Sequence, residues 1–291
     1  MFRFCASLGA LFQEIELPRR FAAAREQGFE GVELTLPYAY PAQELATANT
    51  ASGTEVVLFT APLGNFMSGG EGIAAVAGKQ AAFRDSVALA LDYAQALDAR
   101  FVQFVAGRCA GAEADPRRRE HYLNTYVENL HYAVEAFAPI NTRILVEAIN
   151  SRDFPDYLLS TPAQVREVTR KFAAGLVAEV FDSLHLAVMG VDPVLEWRNH
   201  AGRYAHVQLA DAPDRSPPGS GTLDFPALFR EIAASGYQDW LSAEYRLAPK
   251  VADSSGAPGR VDAARTSTAS SIAGTLGWIA EARTAWEQIP H

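Results

Sequence analysis

The chain has 291 residues, 49% of them hydrophobic, 20% charged and 10% aromatic, an ordinary globular composition. Lys and Arg number 25 against 34 Asp and Glu, so the net charge is −9, and the field around the molecule repels polyanions such as nucleic acid. Two cysteines, Cys5 and Cys109, are too few for a disulfide framework. With no apolar leader and no run approaching about 18 apolar residues, the expectation is a cytoplasmic protein with neither export signal nor membrane anchor.

Short apolar runs alternate along the chain with longer amphipathic ones, the rhythm of repeated β-α units around a parallel sheet. The first strand is read at 2–8 and a helix at 18–27, where Pro18 suits a first helical turn. Strands follow at 31–36 and 55–60. A long helix at 78–97 leads to a fourth strand at 101–105, and another at 118–137 to a fifth at 143–147. A helix beginning at Thr161-Pro162 precedes a sixth strand at 176–181. The seventh strand is 204–209, followed by a helix at 225–234 and an eighth strand at 240–244. The stretch 248–270, rich in Ala, Ser, Gly and Pro, reads as an exposed loop or lid, and 271–288 as a last helix docking Ile272, Leu276, Ile279 and Trp286.

Eight repeats predict a single-domain (β/α)8 TIM barrel over 1–291. A doubly wound open sheet competes, but no Gly-x-Gly-x-x-Gly follows the first strand, where a dinucleotide-binding sheet would carry it. In a TIM barrel the site forms at the carboxyl ends of the strands. Glu147 ends the fifth strand, Asp182 follows the sixth, Gln208 lies near the end of the seventh and Glu244 ends the eighth. Three carboxylates and one amide oxygen brought together repel strongly without a cation, and oxygen ligands with open positions suit Mg²⁺ or Mn²⁺. Any one of these residues alone is more often a solvated edge or an ion-pair member than a ligand. Glu33 could face the same site, whereas Glu179 is harder to place.

Several segments, in order across nearly the whole chain, resemble the hydroxypyruvate isomerase family of xylose-isomerase-like barrels. They are Leu36-Pro37-Tyr38-Ala39-Tyr40-Pro41, Gly64-Asn65-Phe66, Val146-Glu147-Ala148-Ile149-Asn150, Phe181-Asp182 with His185, Gln208-Leu209-Ala210-Asp211-Ala212-Pro213 with Arg215, Glu244-Tyr245-Arg246 and Leu276-Gly277-Trp278. The resemblance implies that Glu147, Asp182, Gln208 and Glu244 hold the metal and that Glu147 and Glu244 also form the proton-transfer pair. It further implies isomerisation of a small 2-keto-3-hydroxy acid, hydroxypyruvate to tartronate semialdehyde, through an enediolate. Such chemistry needs a base, an acid and something to bear the oxygen charge.

His185 is implied to contact substrate oxygens, as a histidine at this spacing does in related epimerases; a wall histidine is the plain alternative. Arg215 and Arg246 are candidates for the substrate carboxylate, since guanidinium grips it bidentately; either could equally be a surface residue. His206 should share the orientation of Gln208 by strand alternation, although a core histidine is the simpler reading. The run Gly69-Gly70-Glu71-Gly72-Ile73-Ala74 lacks an arginine that many hydroxypyruvate isomerases carry there, which opens the substrate to longer acids such as 2-oxotetronate, or to free ketoses for a 3-epimerase. A non-catalytic sugar-acid-binding barrel and an endonuclease IV type nuclease are readings of other classes, the latter disfavoured by the charge and by Gln at position 208. A homo-oligomer is left open.

Overall fold

Strands buried on both faces are what a parallel sheet wrapped by helices demands, and the eight short strands of this chain answer that description. In the computed structural model they are β1 (Arg3–Ser7), β2 (Gly31–Leu34), β3 (Glu55–Thr60), β4 (Phe101–Gln103), β5 (Arg143–Glu147), β6 (Val177–Asp182), β7 (Tyr204–Leu209) and β8 (Trp240–Ala243). All pair in parallel with their sequence neighbours, and β1 pairs with β8, closing the barrel. The structure describes residues 2–111, 114–247 and 272–289; the loop or lid expected at 248–270 lies outside them.

The helices are α1 (Leu17–Glu26), α2 (Ala42–Ser52), α3 (Gln80–Leu97), α4 (Pro116–Phe137), α5 (Pro162–Thr169), α6 (Ser183–Val188), α7 (Pro193–His200), α8 (Phe225–Ala234) and α9 (Gly277–Glu287). Their starts follow from local chemistry. Pro opens α4, α5 and α7, where its missing N–H costs nothing, and the Asp115, Thr161 and Asp192 side chains accept the free backbone N–H groups of the first turn. Three helices, α2, α6 and α7, are absent from the sequence expectation. Helix α2 buries only Leu45 fully and so carries no apolar stripe, while α6 begins directly on the last residue of β6. The second strand ends at Leu34 rather than at 36, because Leu36 turns into the left-handed region, φ 53°, ahead of Pro37. Among the described residues no helix is long and apolar enough to cross a membrane.

Two layers fill the barrel. The lower is apolar: Cys5, Val57, Phe101, Leu145, Val180 and Trp240 pack into a cluster separate from the larger core between strands and helices. Gly31 makes room for it, since a Cβ there would lie 2.6 Å from both the Trp240 indole and the Val57 side chain. The Arg3 guanidinium covers the Trp240 ring at 3.8 Å. Strand alternation then places the next inward residue two positions along, and at that level the residue types change. Ser7, Glu33, Gln103, Glu147, Asp182, Gln208 and Ser242 form a buried polar layer at the carboxyl ends of the strands.

Candidate active site at the carboxyl ends of the strands

Above the polar layer opens a cavity of about 600 Å³, lined by Glu33, Gln103, Glu147, His185, Gln208, Arg215, Glu244 and Arg246 among others. Of the residues expected from sequence, only Asp182 is not in its wall; it sits just beneath, with Oδ2 3.9 Å from His185 Nε2. The strand register explains the assembly. Asp182 on β6 is the Cα partner of Gln208 on β7, and Gln208 is the partner of Ser242, two residues before Glu244.

Each oxygen has a distinct environment. Glu147 is buried; its Oε2 accepts a short hydrogen bond from Gln103 Nε2, and its Oε1 lies 3.7 Å from His185 Nε2. Asp182 Oδ1 accepts the backbone N–H of His185 at 2.8 Å, capping α6, while Oδ2 is buried without a hydrogen-bond partner among the described residues. Gln208 donates Nε2 to Glu33 Oε2 at 2.9 Å, and its buried Oε1 likewise has no partner among them. Glu244 is drawn aside: Oε1 lies 3.4 Å from Arg215 Nη1. Burial, then the charge of Asp182, pushes the Glu147 carboxyl well above the usual carboxylate range. Burial does the same to Glu244, against the pull of Arg215.

Buried acceptors without donors are costly, and two of them beside a buried carboxylate are what an oxygen-binding cation would satisfy. Glu147 and Asp182 each offer a carboxylate oxygen, the two lying within 4.8 Å of each other and of a His185 ring nitrogen, and with the unpartnered Gln208 oxygen these residues fit a metal ion. The tautomer of His185 narrows its part. Asn150 Oδ1 accepts from Asp153 N–H at 2.8 Å, which turns the Asn150 NH2 to His185 Nδ1 at 2.6 Å, and the Asn150 backbone N–H also donates to Nδ1, at 3.2 Å. Nδ1 is therefore the acceptor and Nε2 carries the proton, aimed into the site rather than offering a lone pair to an ion. Burial holds the ring below the usual imidazole pKa, hence neutral.

The arginines differ as well. Arg215 lies in the loop after β7, with Nη2 2.9 Å from His185 Nε2. That loop is built around buried Asp211, whose carboxylate accepts from the backbone N–H groups of Ala212, Gly219, Gly221 and Leu223. Gly221 is required there, because a Cβ would sit 2.3 Å from the Ala212 carbonyl oxygen. Arg246 is exposed at the rim, with no side-chain partner among the described residues. Residues the sequence reading did not single out are Gln103, which fixes Glu147, Asn150, which fixes His185, and Arg152 at the cavity mouth, donating to the Pro213 carbonyl at 2.9 Å. Glu33 does face the site, and His206 is buried beneath Gln208. Glu179 turns outward to Thr169 and Arg203 and takes no part.

A family model described as the xylose isomerase-like TIM barrel matches residues 21–266. The 2-oxo-tetronate isomerase of Cupriavidus necator is 34% identical over 254 residues, 87% of this chain and 95% of that protein. The hydroxypyruvate isomerase of Escherichia coli K12 is 32% identical over 246 residues, 84% and 94% respectively. The chain belongs to the hydroxypyruvate isomerase family of xylose isomerase-like TIM barrels. Among solved structures, a Brucella melitensis protein described as a family 2 AP endonuclease superposes with a TM-score of 0.82 at 32% identity, covering 96% of this chain and 98% of that one. Membership accounts for the barrel.

Proposed function

We propose that the protein is a cation-dependent isomerase of small 2-keto-3-hydroxy acids, interconverting hydroxypyruvate and tartronate semialdehyde. The observation that carries this reading is the gathering of buried Glu147 and half-buried Glu244 with the orphaned oxygens of Asp182 and Gln208 at the carboxyl ends of the strands. Glu147, Asp182, Gln208 and Glu244 would hold Mg²⁺ or Mn²⁺. A divalent cation bound there supplies Lewis-acid stabilisation of negative charge on substrate oxygens.

The chain's own residues then divide the work. Burial raises both carboxyls and a bound cation would draw them back toward the carboxylate form, so that one glutamate removes the proton from the hydroxyl-bearing carbon and the other delivers it to the neighbouring carbon. Glu244 Oε2, with no hydrogen-bond partner among the described residues, is one oxygen free for this exchange. Neutral His185 donates Nε2–H to the substrate oxygen that gains charge. A substrate oxygen between His185 and Arg215 also relieves the donor-against-donor approach of their nitrogens at 2.9 Å. Arg246, unpaired at the rim among the described residues, is the group for the carboxylate end; a free ketose has no acid to meet it. The four-carbon 2-oxo-tetronate is the second substrate, favoured by the Cupriavidus necator relative and by a cavity of about 600 Å³ with room for one more carbon. Cleavage of DNA is disfavoured by the net charge of −9 and by a site whose wall has one histidine among the described residues.

The test is conversion of both acids by protein stripped with EDTA and then given back Mg²⁺ or Mn²⁺, run in D2O. Turnover that returns with the cation and carries solvent deuterium into product is expected. A panel of hydroxy-keto acids that binds without conversion would establish a binding barrel instead, and product free of deuterium would replace proton transfer by hydride shift.

A further inference from the structure

Beneath Gln208 lies a buried hydrogen-bonded chain that the proposed chemistry does not use. Glu33 on β2 accepts Gln208 Nε2 on one oxygen, at 2.9 Å, and makes a short hydrogen bond to His206 Nε2 through the other. All three side chains are buried. A carboxylate only accepts, so the Gln208 amide has one permitted orientation: its NH2 faces Glu33 and its oxygen is left over. That oxygen is the one without a partner among the described residues. Each Glu33 oxygen is engaged by one of these two donors. The His206 proton belongs on Nε2, because Nδ1 is buried without a partner among the described residues, and an unsatisfied N–H there would cost more than an idle lone pair.

We infer that Glu33 and His206 are positioning residues which lock the Gln208 amide with its oxygen, rather than its nitrogen, presented to the cation site. The inference rests on the reading of Gln208 as a cation ligand. The lock has a direction, and it can be run backwards. In Glu33→Gln the side chain keeps its size, but His206 Nε2–H selects the new amide's oxygen, whose NH2 then faces Gln208. Gln208 can answer only with its own oxygen, and so turns its NH2, which cannot ligate, toward the cation. Removing the His206 donor as well frees the new amide to present its oxygen to Gln208 and restores the original orientation.

The experiment is Mn²⁺ titration at about pH 8, read as loss of the free-ion electron paramagnetic resonance signal, on wild type, E33Q and E33Q/H206L, with circular dichroism melts to show that each is folded. Loss of a group that orients a ligand typically costs about 10–100-fold in affinity, and E33Q is expected to weaken Mn²⁺ binding by that factor. E33Q/H206L carries the same formal charge as E33Q and is expected to bind several-fold more tightly than it. Should E33Q/H206L be unfolded, E33L takes its place: it also lacks the charge, leaves Gln208 free for the ion to orient, and should bind more tightly than E33Q. E33Q binding like wild type, or either companion binding no better than E33Q, overturns the lock while leaving the cation site standing. Wild type that binds no Mn²⁺ overturns the cation site, and the lock with it.

Discussion

Asp182 does two things with two oxygens, and Asp182→Asn separates them. Oδ1 caps α6 by accepting His185 N–H at 2.8 Å, and asparagine is as good a cap as aspartate, so the fold should survive. The buried Oδ2 becomes an NH2, which cannot ligate. In the absence of cation the variant should melt at or above wild type, because the charge of Asp182 is among the causes that raise the neighbouring Glu147. With Mn²⁺ at about one hundred times the wild-type Kd, binding stabilises the native state by about 2.7 kcal/mol. Unfolding 291 residues at about 2.1 cal/mol/K each gives an entropy of about 0.6 kcal/mol/K, so wild type should gain about 4 °C in Tm and the variant almost nothing. Lost charge stabilisation of several kcal/mol should lower kcat/KM about 10²–10³-fold. Melting curves with and without Mn²⁺ decide the matter. A variant that keeps most of that shift would refute the assignment of Oδ2 to a cation, and one that melts far below wild type without metal would show the residue to be structural.

The raised carboxyls of Glu147 and Glu244 contribute stability that is complete below the ordinary carboxylate pKa and is lost as pH rises through their folded values. A bound cation demands the deprotonated forms, so Mn²⁺ affinity should climb as pH rises above the ordinary carboxylate range, and calorimetry in two buffers should show net proton release. Pinning Arg246 to the substrate acid predicts that Arg246→Ala raises KM about tenfold or more with kcat little changed, read from steady-state kinetics; an unchanged KM sends the carboxylate to Arg215 or Arg152. Asp211→Ala strips four backbone donors of their acceptor. It should release the loop that carries Arg215 and cut kcat/KM about tenfold or more, with increased proteolysis between 211 and 223 as the second readout.

What could be read from sequence and what could not divide along physical lines. Glu147, Gln208 and Glu244 were legible because a carboxylate or amide ending an otherwise apolar run, repeated at β-α spacing, has one place to go in a barrel. The barrel itself followed from counting such runs. Gln103 escaped because it stands within Phe-Val-Gln-Phe-Val, where nothing in the run announces that the strand ends on it. The partner of Gln208 lies 175 positions earlier on β2, and the tautomer of His185 is decided by Asn150, 35 positions away; neither distance has a period to betray it. The pairing of Arg215 with Glu244 depends on a loop shaped by backbone N–H groups around Asp211, which no residue pattern encodes. Helices α6 and α7 were passed over because they are short and wedge into one β-α connection.

The glycine at position 31 and the indole it admits have an effect beyond packing. With Trp240 stoppering the amino end of the barrel, reactant and product share the doorway at the opposite end, past Arg152, Arg246 and the Asp211 loop. Departure must then precede the next arrival, and changes that retune how fast that threshold clears should alter turnover while leaving the chemistry beneath it untouched.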